Sequence, residues 1–207
     1  MQTTRVILLR HGQCEGGNIL RGQVDVNLSK QGKLQMQNAF SALFLAAESA
    51  PKAAPIVVIS SPLLRCAEPA KTFATSHQLP LWIDDRFKEL NFGDWDGQTF
   101  DALYQTDAKT LDSYWANPWL TAPPNGESMQ DFEARIEQAW QSMLEQHQGK
   151  QIVLVTHGGV MRYLMSKALG VANCAGFYTA LKLPYAAKVQ IDVLHHGKEQ
   201  HLSLHWA

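Results

Sequence analysis

The apolar positions of this chain form short continuous runs that alternate with longer, periodic segments. Residues 6–9, 56–59 and 152–155 are apolar throughout and rich in β-branched side chains. Strands that are covered on both faces have this composition, because neither face of such a strand meets water. A shorter run, residues 81–83, predicts a fourth strand. The pattern therefore predicts a buried sheet whose strands are mostly parallel.

Between these runs, apolar residues recur at three- and four-residue steps, which is the period of an amphipathic helix. The clearest stripe follows Ser128, which begins a capping-box pattern. In the helix after the second strand, Pro69 lacks an amide donor, so we expect that helix to begin near Cys66, with Arg65 close to its N-terminus. The predicted helices cover residues 30–47, 66–76, 129–147 and 160–169.

This alternation predicts an α/β fold with three layers, α/β/α, around a mostly parallel sheet. Residues 189–193 and 202–205 flank His195-His196-Gly197 and resemble a hairpin at the sheet edge. Residues 91–125 are rich in Trp, Tyr, Pro and Gly, and we interpret them as a small irregular insertion over the site. A length of 207 residues suits one domain, 1–207, that carries this insertion.

Composition narrows the possible partners. Lys and Arg number 18 against 19 Asp and Glu, so no overall basic field favours nucleic acid or a membrane surface. The N-terminal residues lack the apolar core of a signal peptide, and we expect a cytoplasmic protein. Cys14, Cys66 and Cys174 show no paired spacing, which predicts free thiols.

Two histidines follow predicted strands directly. Arg10-His11-Gly12 comes after the first strand, and His157-Gly158 comes after the strand at 152–155. In open α/β sheets, ligands bind at the carboxyl ends of the strands. A histidine flanked by an arginine and a glycine suits attack on a phosphoryl group. The arginine can bind the phosphoryl oxygens, and the glycine, which has no side chain, allows the backbone to approach them closely. The sequence therefore predicts phosphate chemistry through a phosphohistidine.

Five segments in this order resemble the histidine phosphatase, or phosphoglycerate mutase-like, superfamily. They are Leu9-Arg10-His11-Gly12, Ser60-Ser61-Pro62-Leu63-Leu64-Arg65, Glu89-Leu90-Asn91-Phe92-Gly93-Asp94-Trp95-Asp96-Gly97, Asn125-Gly126-Glu127-Ser128 and Thr156-His157-Gly158-Gly159. The resemblance implies that His11 accepts the phosphoryl group and that Glu89 donates a proton. It also implies that Arg10, Arg65 and His157 hold the phosphate, with Gly12 and Gly158 beside it.

The same residues support this chemistry on physical grounds. A histidine must be neutral to attack phosphorus, and nearby arginines disfavour the imidazolium form. We expect two guanidinium groups and the helix-end amides after Gly158 to meet the charge on the phosphoryl oxygens. Glu89 would protonate the leaving oxygen and then activate water. This scheme requires no metal and no cofactor.

The charge of the insertion and two short segments predict the substrate. From Glu89 to Gln130 the only basic residue is Lys109, among seven acidic ones, so we expect a monophosphate on a neutral, aromatic body. The segments at Cys14–Gly22 and Pro123–Ser128 resemble α-ribazole-5′-phosphate phosphatases of cobalamin nucleotide-loop assembly. Asn18 and Arg21 are candidate substrate contacts, although Gln13 and a shorter loop depart from the family pattern. The alternatives are a broad-specificity sugar-phosphate phosphatase or mutase, and a catalytically silent protein that binds phosphorylated ligands.

Overall fold

All six strands belong to one mixed sheet in the computed structural model, which describes residues 2–48, 54–197 and 199–206. The strands are β1 (Gln2–Arg10), β2 (Ile56–Ser60), β3 (Leu81–Ile83), β4 (Gln151–Thr156), β5 (Lys188–His196) and β6 (Glu199–Trp206). Their order is β3-β2-β4-β1-β5-β6. The first four neighbours are parallel, and β5 and β6 add an antiparallel hairpin at the edge. The predicted mostly parallel sheet with an edge hairpin is confirmed.

Helices cover both faces of this sheet because successive strand residues point to opposite sides. They are α1 (Lys30–Glu48), α2 (Leu64–Ser76), α3 (Phe100–Ala116), α4 (Met129–Gln146), α5 (Gly158–Leu169) and α6 (Ala175–Ala180). On β1, Leu8 packs into the core shared with α4 and α5, whereas Leu9 packs into the core shared with α1 and α2. The three-layer architecture predicted from the sequence is therefore confirmed.

Helix α2 begins two residues earlier than predicted, at Leu64, and it contains Pro69 in its second turn. The proline removes one internal hydrogen bond there but does not end the helix. The first turn of α2 is stabilised by a residue outside the helix, since the Leu64 amide donates to Asp25 Oδ1 at 2.8 Å. The expectation that Arg65 lies close to the helix N-terminus is confirmed, because Arg65 is its second residue.

The segment 91–125 is more regular than expected. It contains a short 3₁₀ turn at Gly93–Trp95 and the 17-residue helix α3. The expectation of an irregular insertion is thus wrong for its central part. Trp95 and Tyr114 are buried and pack edge to face with ring centroids 5.6 Å apart, so they form the core of this segment.

The sheet and its two cores indicate how many domains the chain contains. Because every strand joins one sheet flanked by two continuous cores, we propose that the chain is one domain carrying the 91–125 segment.

In the described ranges, none of the helices has both the length and the apolar character needed to cross a bilayer.

Candidate active site

The two predicted strand-end histidines lie side by side. In the parallel pair of β1 and β4, Arg10 is opposite Thr156, so the next residue of each strand emerges at the same sheet edge. The His11 amide also donates to the Thr156 carbonyl at 3.0 Å. The ring centroids of His11 and His157 are 5.4 Å apart. Both side chains are buried, with exposed fractions of 5% and 0%.

The hydrogen bonds of His11 fix which ring nitrogen is free. Its Nδ1 lies 2.8 Å from the Gly12 carbonyl oxygen. A carbonyl oxygen can only accept, so Nδ1 carries the proton and donates it. The Cys14 thiol also lies close, with Sγ 3.5 Å from Nδ1. The lone pair of the neutral ring is therefore on Nε2, the atom that a phosphohistidine mechanism needs.

Both ring nitrogens of His157 have protein partners. Arg65 Nε donates to Nδ1 at 3.3 Å, and Nε2 lies 2.8 Å from Ser61 Oγ. Because Nδ1 accepts, the proton of the neutral ring is on Nε2, which donates to Ser61. The ring of His157 therefore positions the Arg65 guanidinium. The contact of His157 with phosphate stays a prediction.

Burial keeps both imidazoles neutral. Desolvation is the largest cause that lowers the pKa of His11 to about 3, and the positive charge of Arg65 lowers it further. The same two causes, in the same order, hold the pKa of His157 well below its usual value. The direction agrees with the expectation from the arginines, but burial contributes more than their charge.

These shifts predict a specific dependence of stability on pH. Between pH 6.5 and 3, the unfolded chain binds a proton at His11 that the folded chain does not bind, so the free energy of unfolding falls as pH decreases. Acidification from pH 7.5 to 5 should lower it by about 2 kcal/mol through His11 alone. Urea unfolding at both pH values measures this loss. A His11→Asn variant should lose less, and an equal loss in both proteins would contradict the assignment.

The arginines of the chain divide into two groups. Arg5, Arg86 and Arg135 each form an ion pair with a carboxylate. Among the residues that the structure describes, the other four form no ion pair, and they are Arg10, Arg21, Arg65 and Arg162. All four surround the two histidines or the adjoining cavity. This concentration of unpaired positive charge creates a site for an anion.

Arg65 is the most deeply buried of these four, with no exposed surface. Its terminal nitrogens donate to the carbonyl oxygens of Gly22, at 2.5 Å, and Val24, at 2.8 Å. That loop is held in turn by Asp96, whose two carboxylate oxygens accept from the amides of residues 22–24 at 2.6–2.9 Å. The Asp96 carboxylate thus positions Arg65 through the loop rather than by pairing with it.

Arg10 has a donor directed into the same space. Its Nη1 donates to the Leu183 carbonyl, and its guanidinium lies over the ring of Tyr185, 4.7 Å from the centroid. Its Nε is buried without a hydrogen-bond partner. A buried donor in that state is costly unless a ligand satisfies it. The anion site predicted around Arg10 therefore has a donor available for an oxygen atom.

Glu89 lies beside the N-terminus of α5. Its Oε2 accepts from the Gly159 amide at 2.9 Å, and its Oε1 accepts from the Leu90 amide at 3.0 Å. A Cβ atom at position 159 would collide with Oε1 of Glu89, so glycine allows the carboxylate to take this position. The helix-end amide that was expected to bind phosphate thus holds the carboxylate. The main chain of Glu89 is fixed by Gln23 and Arg135, which both donate to its carbonyl.

The two glycines predicted beside the phosphate have different surroundings. A Cβ atom on Gly12 would collide with the carbonyl of Gly32 in the first turn of α1, so this glycine permits close packing of the loop on the helix. A Cβ atom on Gly158 would lie 3.6 Å from Arg10 Nε and 3.2 Å from Arg162 Nη1. The absence of a side chain there keeps open the space between two guanidinium groups.

The remaining candidates lie at the margin. Asn18 is exposed and has no hydrogen bond among the described residues. Arg21 donates to the carbonyls of Ile19, Glu15 and Gly17, so it holds its own loop together. Its charge nevertheless contributes to the lowered pKa of His11. The structure therefore brings the charge of Arg21 near the histidines. A substrate contact of Asn18 stays a prediction.

A cavity of about 170 Å³ opens beside Glu89. It is lined by Glu89, Phe92, Tyr114, Trp115, Gly159, Arg162, Tyr178 and Thr179. A larger groove of about 640 Å³ lies between α1 and α2 and contains none of the candidate residues. Sequence reasoning missed Arg162 at this site, and it also missed Gln23 and Tyr185. The signal for Arg162 was its place one turn after Gly158, because helical side chains lean toward the N-terminus.

Among the described residues, the cysteines form no disulfide and no cluster of side chains forms a metal site. Cys14, Cys66 and Cys174 are free thiols, as predicted. Burial raises the pKa of the Cys14 and Cys66 thiols, so these two are poor nucleophiles despite their place beside the histidines. In the described ranges, no three His, Cys, Asp or Glu side chains converge so as to hold a metal ion.

Several known proteins are similar to this chain in sequence and fold. The chain is 32% identical to glucosyl-3-phosphoglycerate phosphatase of Mycobacterium tuberculosis, over all of this chain and 88% of that protein. It is 30% identical to adenosylcobalamin/alpha-ribazole phosphatase of Escherichia coli, over 81% of this chain and 80% of that protein. The crystal structure of a putative alpha-ribazole-5′-P phosphatase from E. coli superposes with a TM-score of 0.81 at 26% identity, covering 98% of this chain and 95% of that one.

The family assignment covers almost the whole chain. The family model described as histidine phosphatase superfamily (branch 1) matches residues 6–205. That range includes the strand-end histidines, Glu89 and the four unpaired arginines. The relatives that match over most of their length are named phosphatases. The chain is therefore a phosphatase that belongs to the histidine phosphatase superfamily.

Proposed function

We propose that this protein hydrolyses small phosphomonoesters through a covalent phosphohistidine on His11. The observation that carries the proposal is that the four unpaired arginines surround a neutral, buried pair of histidines and the cavity that adjoins it. A phosphoryl group is the anion whose charge this arrangement matches. Nε2 of His11 has a free lone pair at neutral pH, since its pKa lies near 3.

The geometry supports a two-step reaction. Nε2 of His11 attacks phosphorus, and the ester P–O bond breaks with its electron pair on the leaving oxygen. Protonated Glu89 gives its proton to that oxygen, and its carboxylate then takes a proton from the attacking water. The P–N bond breaks, which releases phosphate and neutral His11. Arg10 and Arg65 stabilise the charge on the phosphoryl oxygens in both steps. No step requires a metal.

Two substrates follow from different observations. Residues 14–22 and 123–128 resemble α-ribazole-5′-phosphate phosphatases, which favours α-ribazole 5′-phosphate as the substrate. The aromatic lining of the cavity beside Glu89 suits the benzimidazole of that compound. Glucosyl-3-phosphoglycerate is the second candidate, because Arg162 places a cation in that same cavity. The one basic residue of the insertion, Lys109, does not line this cavity, but α5 supplies Arg162. A silent binding protein is disfavoured because His11 and Glu89 are both in place.

Phosphate release from a panel of esters tests the proposed function. The panel contains both candidate substrates and p-nitrophenyl phosphate, and every assay contains EDTA. We expect turnover of p-nitrophenyl phosphate and faster turnover of one candidate, with no loss of rate to the chelator. Turnover that needs added zinc or magnesium would contradict the mechanism. Absence of turnover with every ester would contradict the function.

A further inference from the structure

Two tyrosines contribute their hydroxyl groups to the cavity beside Glu89. Tyr114 comes from α3 and Tyr178 from α6, and both line this cavity. Both residues are buried, with exposed fractions of 1% and 7%. Among the described residues, the Tyr114 hydroxyl has no hydrogen-bond partner, since the Tyr178 hydroxyl beside it lacks the required geometry. A buried hydroxyl in that state costs free energy unless a ligand or a water molecule satisfies it.

These hydroxyls lie next to the Glu89 carboxylate. Glu89 Oε1 and the Tyr178 hydroxyl oxygen are both within 2.9 Å of the point where a Cβ atom of Gly159 would be. Burial is the largest cause that raises the pKa of Tyr114 and of Tyr178, and the negative charge of Glu89 raises both further. Both phenols therefore stay protonated at neutral pH, and each can donate as well as accept a hydrogen bond.

One water molecule can satisfy the carboxylate and both phenols together. Oε1 of Glu89 accepts from the Leu90 amide, and a carboxylate oxygen has a second lone pair. A water molecule can donate one proton to Oε1, donate the other to one phenol oxygen and accept from the other phenol. Three hydrogen bonds are typical of a buried water. The cavity, at about 170 Å³, has room for it.

We propose that the hydroxyls of Tyr114 and Tyr178 bind the water that hydrolyses the phosphohistidine and hold it against Oε1 of Glu89. This inference rests on the proposed phosphatase function and concerns only its second step. There the water oxygen bonds to phosphorus, the P–N bond breaks with its electron pair on Nε2 of His11, and Glu89 takes the proton. Holding the water in place removes part of the entropic cost of its attack.

Removal of one oxygen atom at a time tests the proposal. Tyr114→Phe and Tyr178→Phe keep the rings that line the cavity. The protein is labelled with ³²P-labelled p-nitrophenyl phosphate, chased with unlabelled ester and quenched in alkali, so the loss of label measures hydrolysis of the phosphohistidine. We expect this loss to be about tenfold slower in each variant, as one hydrogen bond to the water requires. The first turnover should release p-nitrophenolate within about threefold of the native rate.

A second ester shows whether the phenols act on the water or on Glu89. It is the candidate substrate that the native protein hydrolyses faster, because the first step with an alkyl ester needs the proton of Glu89. Both variants should become labelled by this ester within about threefold of the native rate. Slower labelling would mean that the hydroxyls orient Glu89 or bind the leaving group, and it would overturn the proposal.

Tyr104→Phe is the matched control. It removes the same atom from an exposed position on α3, and it should keep the native rate of both steps. Loss of label at the native rate in either Tyr114→Phe or Tyr178→Phe would overturn the proposal. Equal slowing of both steps would also overturn it, because a general distortion of the site has that effect.

The native protein separates this inference from the proposed function. If it hydrolyses p-nitrophenyl phosphate and becomes labelled, but the two variants lose the label at the native rate, the water site is wrong and the phosphatase function stands. If it neither hydrolyses this ester nor becomes labelled, the function itself fails.

Discussion

His11→Ala should lower kcat/KM for every ester by about 10⁴-fold or more, because it removes the atom that forms the covalent bond to phosphorus. It should also abolish the phosphoenzyme. A ³²P-labelled ester quenched in alkali within milliseconds should label the native protein with phosphate that is stable to base and lost in acid, which is the behaviour of a P–N bond. The variant should carry no such label.

Two controls make this result specific. His201→Ala removes a histidine from β6 that is 60% exposed in its side chain, and it should keep native activity and labelling. His157→Ala should slow the reaction but still allow labelling, because His157 contacts Arg65 and Ser61 rather than offering a free nitrogen. Undiminished hydrolysis by folded His11→Ala, with its fold checked by circular dichroism, would refute the nucleophile.

The strand-end histidines could be predicted because their positions depend on local signals. Continuous apolar runs identify β1 and β4, and the parallel pairing of these strands brings the residues that follow them to one edge. The same logic located Arg65 at the start of α2. These predictions needed only the order of the elements and the direction in which each strand runs.

The elements that were missed lack a continuous helical period. In α3, Asp107 has non-helical angles, φ −147° and ψ 40°, so the buried Leu103 and Leu111 do not form one regular stripe. Helix α6 has only six residues, which is too short for a hydrophobic period to be recognised. Both helices contribute side chains to the cavity beside Glu89, so its lining could not be predicted in full. Its charge could not be judged from residues 89–130 alone, because the cation, Arg162, comes from α5.

Contacts between distant segments were also hidden from the sequence. Asp96 holds the amides of residues 22–24, and the carbonyls of that loop bind Arg65. Nothing in the spacing of these residues reveals that a carboxylate fixes an arginine through an intervening loop. For the same reason, the sequence did not reveal that both ring nitrogens of His157 have protein partners, Arg65 and Ser61. Local motifs identified the participants but not their partners.

Glu89→Gln should separate the two proton transfers of the reaction. An amide cannot protonate an alkoxide, so hydrolysis of an alkyl phosphate should fall by about 10²- to 10⁴-fold. p-Nitrophenolate leaves without a proton, so the first step should survive with p-nitrophenyl phosphate. The second step should still be slow, because no carboxylate activates water.

The expected result is therefore a burst. Stopped-flow absorbance should record release of one p-nitrophenolate per protein molecule, followed by slow turnover, and the phosphohistidine should accumulate in the same time course. Glu145→Gln, at an exposed position near the end of α4, is the matched control and should show native turnover. Equal losses with both esters and no burst would mean that Glu89 only orders the site through the amides of Leu90 and Gly159, and another group would have to be the acid.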